Sequence, residues 1–210
     1  MRGYSVIPEP RKVAPKSGDF ALDESWRIER GAGVEANEPA FEDLKEQLAE
    51  RYGLRLTGGP RAKSIELAIH PGTVEVGKAT DADRASLSRQ AYRLTLGPGG
   101  IRVTGNAPAG LFYGVQTLVQ LVKRDRGRLS LPEAEITDWP DVGLRELFWD
   151  ELEHLDHLDV LKQAVRRTAF FKANALALRL NGHFQYASAP ALVDPYALTP
   201  AELQELTDYG

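Results

Sequence analysis

Few side chains in this sequence are equipped for chemistry. Four histidines, His70, His154, His157 and His183, are its only imidazoles. The absence of cysteine excludes disulfides, thiolate metal sites and cysteine nucleophiles. Asp150 and Glu151 are adjacent acids, a residue type suited to general acid–base work. On a strand, however, neighbouring side chains point to opposite faces, so the pair reads first as two strand-end carboxylates. Glu151, His154 and His157 could share a helical face, and histidine with carboxylate suits zinc. The order is not H-E-x-x-H, and Leu152, Leu155 and Leu158 are spaced like packing residues. A solvated loop capping the next helix is therefore the default, and neither a metal nor a cofactor is expected. Gly105 and Gly110 have P-loop spacing, but Leu111 and Phe112 stand where Lys and Ser/Thr would be needed, which argues against a phosphate site. His183 and Tyr186 follow an apolar segment; they could contact a ligand, or be a satisfied loop histidine and a packing ring.

Periodicity predicts the helices and strands that carry these residues. Residues up to about 35 read as short extended pieces between Pro and Gly turns. Phe41, Leu44, Leu48 and Tyr52 recur at helical spacing, with Asn37 as the expected cap, Pro39 in the first turn and Gly53 as the stop. Leu54–Leu56 and Ile65–Ile69 read as strands, and 72–89 as a polar surface loop. Tyr92, Leu94 and Leu96, then Ile101 and Val103, alternate with polar residues around Gly97-Pro98-Gly99-Gly100, which predicts a β-hairpin. A helix is expected from Pro108, capped by Asn106 and carrying the stripe Leu111, Val115, Leu118 and Val122, with a charged turn at 123–128. After Trp139-Pro140 the pattern changes to strand (144–149), helix (158–171), strand (175–180) and a helix opened by Thr199-Pro200-Ala201-Glu202. Strand–helix–strand–helix is the order of a parallel sheet. Two strands cannot close a barrel, so 140–210 reads as the beginning of a domain.

The chain has 210 residues, 42% of them apolar and 27% charged, which fits a globular protein rather than a disordered one. The formal charge of −4 argues against a general nucleic-acid binder. No apolar run approaches the roughly 20 residues of a membrane span, and the N-terminal residues show no signal-peptide pattern.

Several segments together resemble the family 20 glycoside hydrolases, the β-N-acetylhexosaminidases. Ile7-Pro8-Glu9-Pro10 followed by Gly18-Asp19-Phe20-Ala21-Leu22 is similar to the family's opening strand region. The hairpin from Ala91 to Thr104 is similar to its accessory α/β domain, and the helix Gly110 to Leu121 is the most specific match. Ile136-Thr137-Asp138-Trp139-Pro140, then Leu144 to Asp150, resembles the entry to its catalytic barrel, and Phe171-Lys172-Ala173-Asn174 the end of the first barrel helix.

The resemblance implies an α+β accessory domain over 1–132, a mostly antiparallel sheet with helices on one face. It implies the first βαβα portion of a (β/α)₈ barrel over 137–210. It implies retaining, substrate-assisted hydrolysis of terminal N-acetylhexosamine, in which the sugar's acetamido oxygen is the nucleophile. The Asp–Glu pair serving that oxygen belongs to the fourth barrel strand, so no catalytic residue is expected within this chain. Arg145 matches the family arginine that holds hydroxyls of the terminal sugar, expected at the end of the first strand. Barrel sites form where strands end, which places His183 and Tyr186 as further substrate contacts. Glu153 replaces a family arginine, and Ala177–Tyr186 replaces the usual histidines and paired aspartates, as in a divergent branch. A non-catalytic carbohydrate-binding or interaction module, or part of another sugar hydrolase such as an α-glucuronidase, therefore stays open. The expected partners are a glycan and, to cover the half-barrel, the remaining barrel or a second copy. Neither nucleic acid nor membrane is expected. The family suggests a periplasmic or secreted location.

Overall fold

The computed structural model describes residues 3–150 and 157–210, and it divides into two compact units, Met1–Gly143 and Leu144–Gly210. The first unit is built on a seven-stranded sheet. Its strands are β1 (Lys12–Leu22), β2 (Arg27–Arg30), β3 (Ser64–Ile69), β4 (Tyr92–Gly97), β5 (Gly100–Gly105), β6 (Lys123–Asp125) and β7 (Arg128–Asp138). They lie in the order β1-β7-β4-β5-β3-β2, with β6 paired to β7. The β1–β7, β7–β4, β4–β5 and β6–β7 pairings are antiparallel, whereas β5–β3 and β3–β2 are parallel.

Register sorts the sheet into two faces. Ile136, Leu94, Val103 and Leu67 form one cross-strand row, and all four are buried. The adjacent row, Glu135, Thr95, Arg102 and Glu66, lies on the other face, where Arg102 Nη2 reaches Glu66 Oε2 at 2.7 Å. The helix α3 (Pro108–Gln120) packs over β3, β4 and β5 on the apolar side. α1 (Pro39–Tyr52) and the short α2 (Arg84–Arg89) pack against α3. A polar knot ties α1 to α3: Gln47 donates to Asp43 and to Gln116, and Gln116 donates to Asp43, all at 2.7–2.8 Å. The buried Gln116 amide thereby finds its partners.

Several local expectations are corrected. The N-cap of α1 is Glu38, not Asn37, with Pro39 following; Gly53 ends the helix at φ 65°, a left-handed conformation that glycine adopts without a Cβ penalty. Ala107, not Asn106, precedes α3, because the Asn106 amide is engaged elsewhere: it accepts from Val74 N–H at 2.9 Å and donates to the Val74 carbonyl at 2.8 Å. Leu54–Leu56 joins no strand pair, and the 72–89 loop contains α2. The charged turn at 123–128 is β6 and the turn into β7.

β7 also moves the domain boundary. It lies between β1 and β4, so the accessory sheet needs residues up to Asp138 rather than ending at 132. Residues 139–143 are tied to the same unit. Trp139 Nε1 donates to the Lys78 carbonyl at 3.2 Å, Arg11 pairs with Asp141 at 2.7 Å, and Gly143 N–H donates to Asp81 at 2.8 Å.

The second unit contains β8 (Glu146–Asp150), α4 (Leu158–Phe170), β9 (Ala175–Arg179) and α5 (Pro200–Tyr209). β8 and β9 are parallel and in register from Glu146↔Ala175 to Asp150↔Arg179. The core of this unit is Leu161, Leu198 and Leu206, with Trp149, Leu178 and Phe184 packed against it. α5 starts with a full capping box between Thr199 and Glu202. Large apolar side chains remain exposed on β8 and in the loop before α5, with Phe148 60% and Tyr196 84% accessible.

Candidate functional site

The C-terminal ends of the parallel strands β8 and β9 gather the polar residues with the clearest geometry. Asp150 closes β8, and its Oδ2 lies 3.5 Å from Nη1 of Arg179, its register partner at the end of β9. The chain then turns through Asn181, a non-glycine residue at φ 45°, and Gly182. His183 follows, with its N–H donating to the Leu180 carbonyl at 2.7 Å and its carbonyl accepting from Leu198 N–H at 2.9 Å. Those two bonds fix the backbone that carries the imidazole.

The imidazole itself is held by an aspartate. His183 Nε2 lies 3.1 Å from Asp194 Oδ2, and the side chain is only 13% exposed. Asp194 is brought back by its own N–H, which donates to the Gly182 carbonyl at 3.0 Å. Gly182 is needed for this approach: a Cβ there would stand 2.6 Å from the Leu192 carbonyl oxygen and 3.0 Å from Asp194 Oδ2. In the neutral ring, an Nε2–H donated to the carboxylate leaves Nδ1 as an acceptor. Nδ1 is buried and has no hydrogen-bond partner. A buried nitrogen without a partner is costly to keep in an otherwise bonded loop.

Tyr186 stands three residues on, half-exposed, and its ring packs edge-to-face on Phe184 at 5.1 Å between centroids. The loop is closed by a bridge between Phe184 and Leu198 and by Gln185 Nε2 donating to the Ala197 carbonyl at 3.2 Å. His183 and Tyr186 therefore share one built loop after β9. Arg145 is not with them. It precedes β8, at the opposite end from Asp150, and the five residue steps between the two positions span roughly 16 Å. Its N–H donates to Asn174 Oδ1 at 2.8 Å and its Nε to the Lys172 carbonyl at 2.7 Å. The expectation that Arg145 stands at the strand end where barrel sites form is thus corrected: it pins the start of β8 to the turn before β9.

Asp194 was not legible as a site residue. It lies in an irregular loop beside Pro195, and no periodicity links it to His183. Glu151 and His154, two of the three residues weighed as zinc ligands, lie outside the described residues. Among the described residues no group of three or more potential ligands assembles. The Gly105–Gly110 loop serves packing: a Cβ on Gly105 would meet Leu111 N at 2.2 Å, and one on Gly110 the Ala91 carbonyl oxygen at 2.2 Å. No helix among the described residues is long and apolar enough to cross a membrane.

In chain order, a mixed sheet backed by helices is followed by a β-α-β-α unit with polar residues at its strand ends. The domain described as "Glycosyl hydrolase family 20, domain 2" matches residues 3–139, and the chain belongs to that family. It is 26% identical over 180 residues to a β-hexosaminidase of Porphyromonas gingivalis, covering 82% of this chain and 22% of that protein. A solved family 20 β-N-acetylglucosaminidase superposes with TM-score 0.70 at 28% identity, over 97% of this chain and 39% of that one. The Vibrio harveyi exo-β-N-acetylglucosaminidase, solved with N-acetylglucosamine, shares the fold with TM-score 0.77 at 19% identity, over 97% and 34%. The chain thus spans between a fifth and two fifths of the length of these relatives.

Proposed function

We propose that this chain is the N-terminal portion of a retaining, substrate-assisted glycoside hydrolase acting on terminal N-acetylhexosamine, and that the chain alone is inactive. The observation that carries the reading is the in-register parallel pair β8–β9, which follows directly on the family 20 domain and presents its polar residues at the strand ends. The apolar exposure of Leu147 and Phe148 supports it, because parallel strands are normally covered on both faces. Further barrel strands would provide that cover.

In this mechanism the acetamido oxygen attacks the anomeric carbon while a glutamic acid protonates the departing glycosidic oxygen. Water then opens the bicyclic intermediate with retention, and the glutamate takes up the water's proton. An aspartate beside that glutamate orients the acetamide. The residues of this chain would contribute binding. His183 Nδ1 would accept a hydrogen bond from a sugar hydroxyl once the loop admits it, and the Tyr186 ring would lie along a sugar face.

The test uses the complete product of the gene. The initial anomer released from an aryl N-acetyl-β-hexosaminide should be the β-form by proton NMR. Replacing the N-acetyl group by N-trifluoroacetyl should slow the reaction steeply, because the weaker oxygen nucleophile acts in the first step. An α-product, or indifference to the N-acyl group, would overturn the mechanism.

A further inference from the structure

Packing tells the two faces of the β8–β9 pair apart. Trp149 of β8 and its register partner Leu178 of β9 both pack against Leu161, Leu198 and Leu206, the core shared with α4 and α5. Strand alternation puts the neighbouring rows, Phe148 with Ala177 and Asp150 with Arg179, on the opposite face. The Asp150–Arg179 row is the last one, at the C-terminal ends of both strands. In a (β/α)₈ barrel the helices form the outer ring, so the face turned away from them lines the interior. Its last row then lies where barrel sites form.

The pair itself is loosely made. Arg179 Nη1 stands 3.5 Å from Asp150 Oδ2, and both side chains are more than a third exposed. Such a pair contributes little to stability. Among the described residues, Arg179 makes no further hydrogen bond or ion pair, which leaves Nε and Nη2 as donors. A guanidinium only donates and a carboxylate only accepts, so the two side by side match two neighbouring hydroxyls, one accepting from Arg179 and one donating to Asp150. In an N-acetylhexosaminide pyranose, C1 carries the glycosidic bond, C2 the acetamide and C5 the ring oxygen. The only neighbouring free hydroxyls are those on C3 and C4.

We propose that Arg179 and Asp150 together bind the C3 and C4 hydroxyls of the terminal sugar and make that free diol a requirement of the substrate. This rests on the proposed hydrolase function.

The test uses the complete product of the gene on 4-nitrophenyl N-acetyl-β-D-glucosaminide and on its 3-deoxy and 4-deoxy analogues. Each deoxy analogue should lose roughly ten- to a hundredfold in kcat/KM, because each leaves a charged side chain without its partner. Arg179→Ala should lose a similar factor on the unmodified substrate but less than about threefold on one of the two analogues, whose missing hydroxyl is the one Arg179 holds. Its thermal unfolding should match that of the parent. Analogues hydrolysed as fast as the unmodified substrate would overturn this proposal alone. So would an Arg179→Ala loss equal on all three substrates, the mark of a structural role, or no loss on any. No hydrolysis of the unmodified substrate by the complete product would overturn the hydrolase reading and this proposal with it.

Discussion

His183 and Asp194, far apart in a loop of irregular sequence, meet with Nε2 and Oδ2 3.1 Å apart at the end of β9, while Nδ1 of the same ring stays buried and unpartnered. Within the neutral form of the ring, the aspartate favours the tautomer protonated at Nε2. Histidine ¹⁵N shifts should therefore show a protonated Nε2 and an unprotonated Nδ1 for His183, and Asp194→Ala should erase that preference. The stability cost should be modest, about 0.5–1 kcal/mol, because Asp194 is half-exposed. A tautomer ratio unchanged by the substitution would show that the carboxylate does not set the ring.

In the first unit, Tyr92 is fully buried; its hydroxyl donates to Asp138 Oδ2 at 2.8 Å, and Asp138 Oδ1 accepts from Arg11 N–H at 3.0 Å. Burial first, then the negative charge of Asp138, raises the Tyr92 phenol well above its ordinary value of 10.0. A group raised in the folded state stabilises fully below its unfolded value and loses that contribution as pH rises toward its folded one. Tyr92→Phe should cost about 1–3 kcal/mol at neutral pH, since it leaves a buried carboxylate oxygen short of a donor. It should also flatten the loss of stability above pH 10. Chemical denaturation at pH 7 and pH 10.5 checks both.

Gly114 lies where α3 crosses the sheet. A Cβ there would stand 2.5 Å from Val103 Cγ1 and 3.1 Å from Tyr92 Cδ2. Alanine would gain about 1 kcal/mol of helix propensity, but overpacking a dense core typically costs about 1–3 kcal/mol. Both neighbours are buried, so the packing cost should win and Gly114→Ala should lower the melting temperature.

The capping box of α5 gives a prediction in acid. The Glu202 carboxylate accepts from Thr199 N–H at 2.8 Å and from its hydroxyl at 2.9 Å, while Thr199 Oγ1 accepts from Glu202 N–H at 3.1 Å. The backbone bond first, then the hydroxyl, holds Glu202 below its ordinary value of 4.5. Its contribution is complete above that value and is lost as pH falls through the folded one. Thr199→Ala should cost roughly 0.5–2 kcal/mol near neutrality. The difference between variant and parent should narrow as pH drops below 4, read by the helical signal during unfolding.

Elements fixed by local pattern were legible. The β4–β5 hairpin follows from strict alternation about Pro98-Gly99, and α5 from a cap, a proline and a glutamate in four consecutive residues. What the sequence hid was decided by distant partners. β7 contains Pro132, Glu133 and Glu135, a poor strand by propensity, and is held by β1 on one side and β4 on the other. Leu54–Leu56 alternates like a strand but finds no pairing partner. Asn106 is a good cap by type, yet Val74 takes its amide. At the candidate site, His183 and Tyr186 were visible as polar residues after an apolar segment. Asp194 was not, because a loop contact of this kind has no period, and Arg145 proved to lie at the other end of its strand.

The purified 210-residue chain and the complete product of the gene should be assayed side by side on 4-nitrophenyl N-acetyl-β-D-glucosaminide. Hydrolysis by the complete product and none by the 210 residues alone is expected of an N-terminal portion that lacks the catalytic acid. Hydrolysis by the 210-residue chain, or none by the complete product, would overturn that reading.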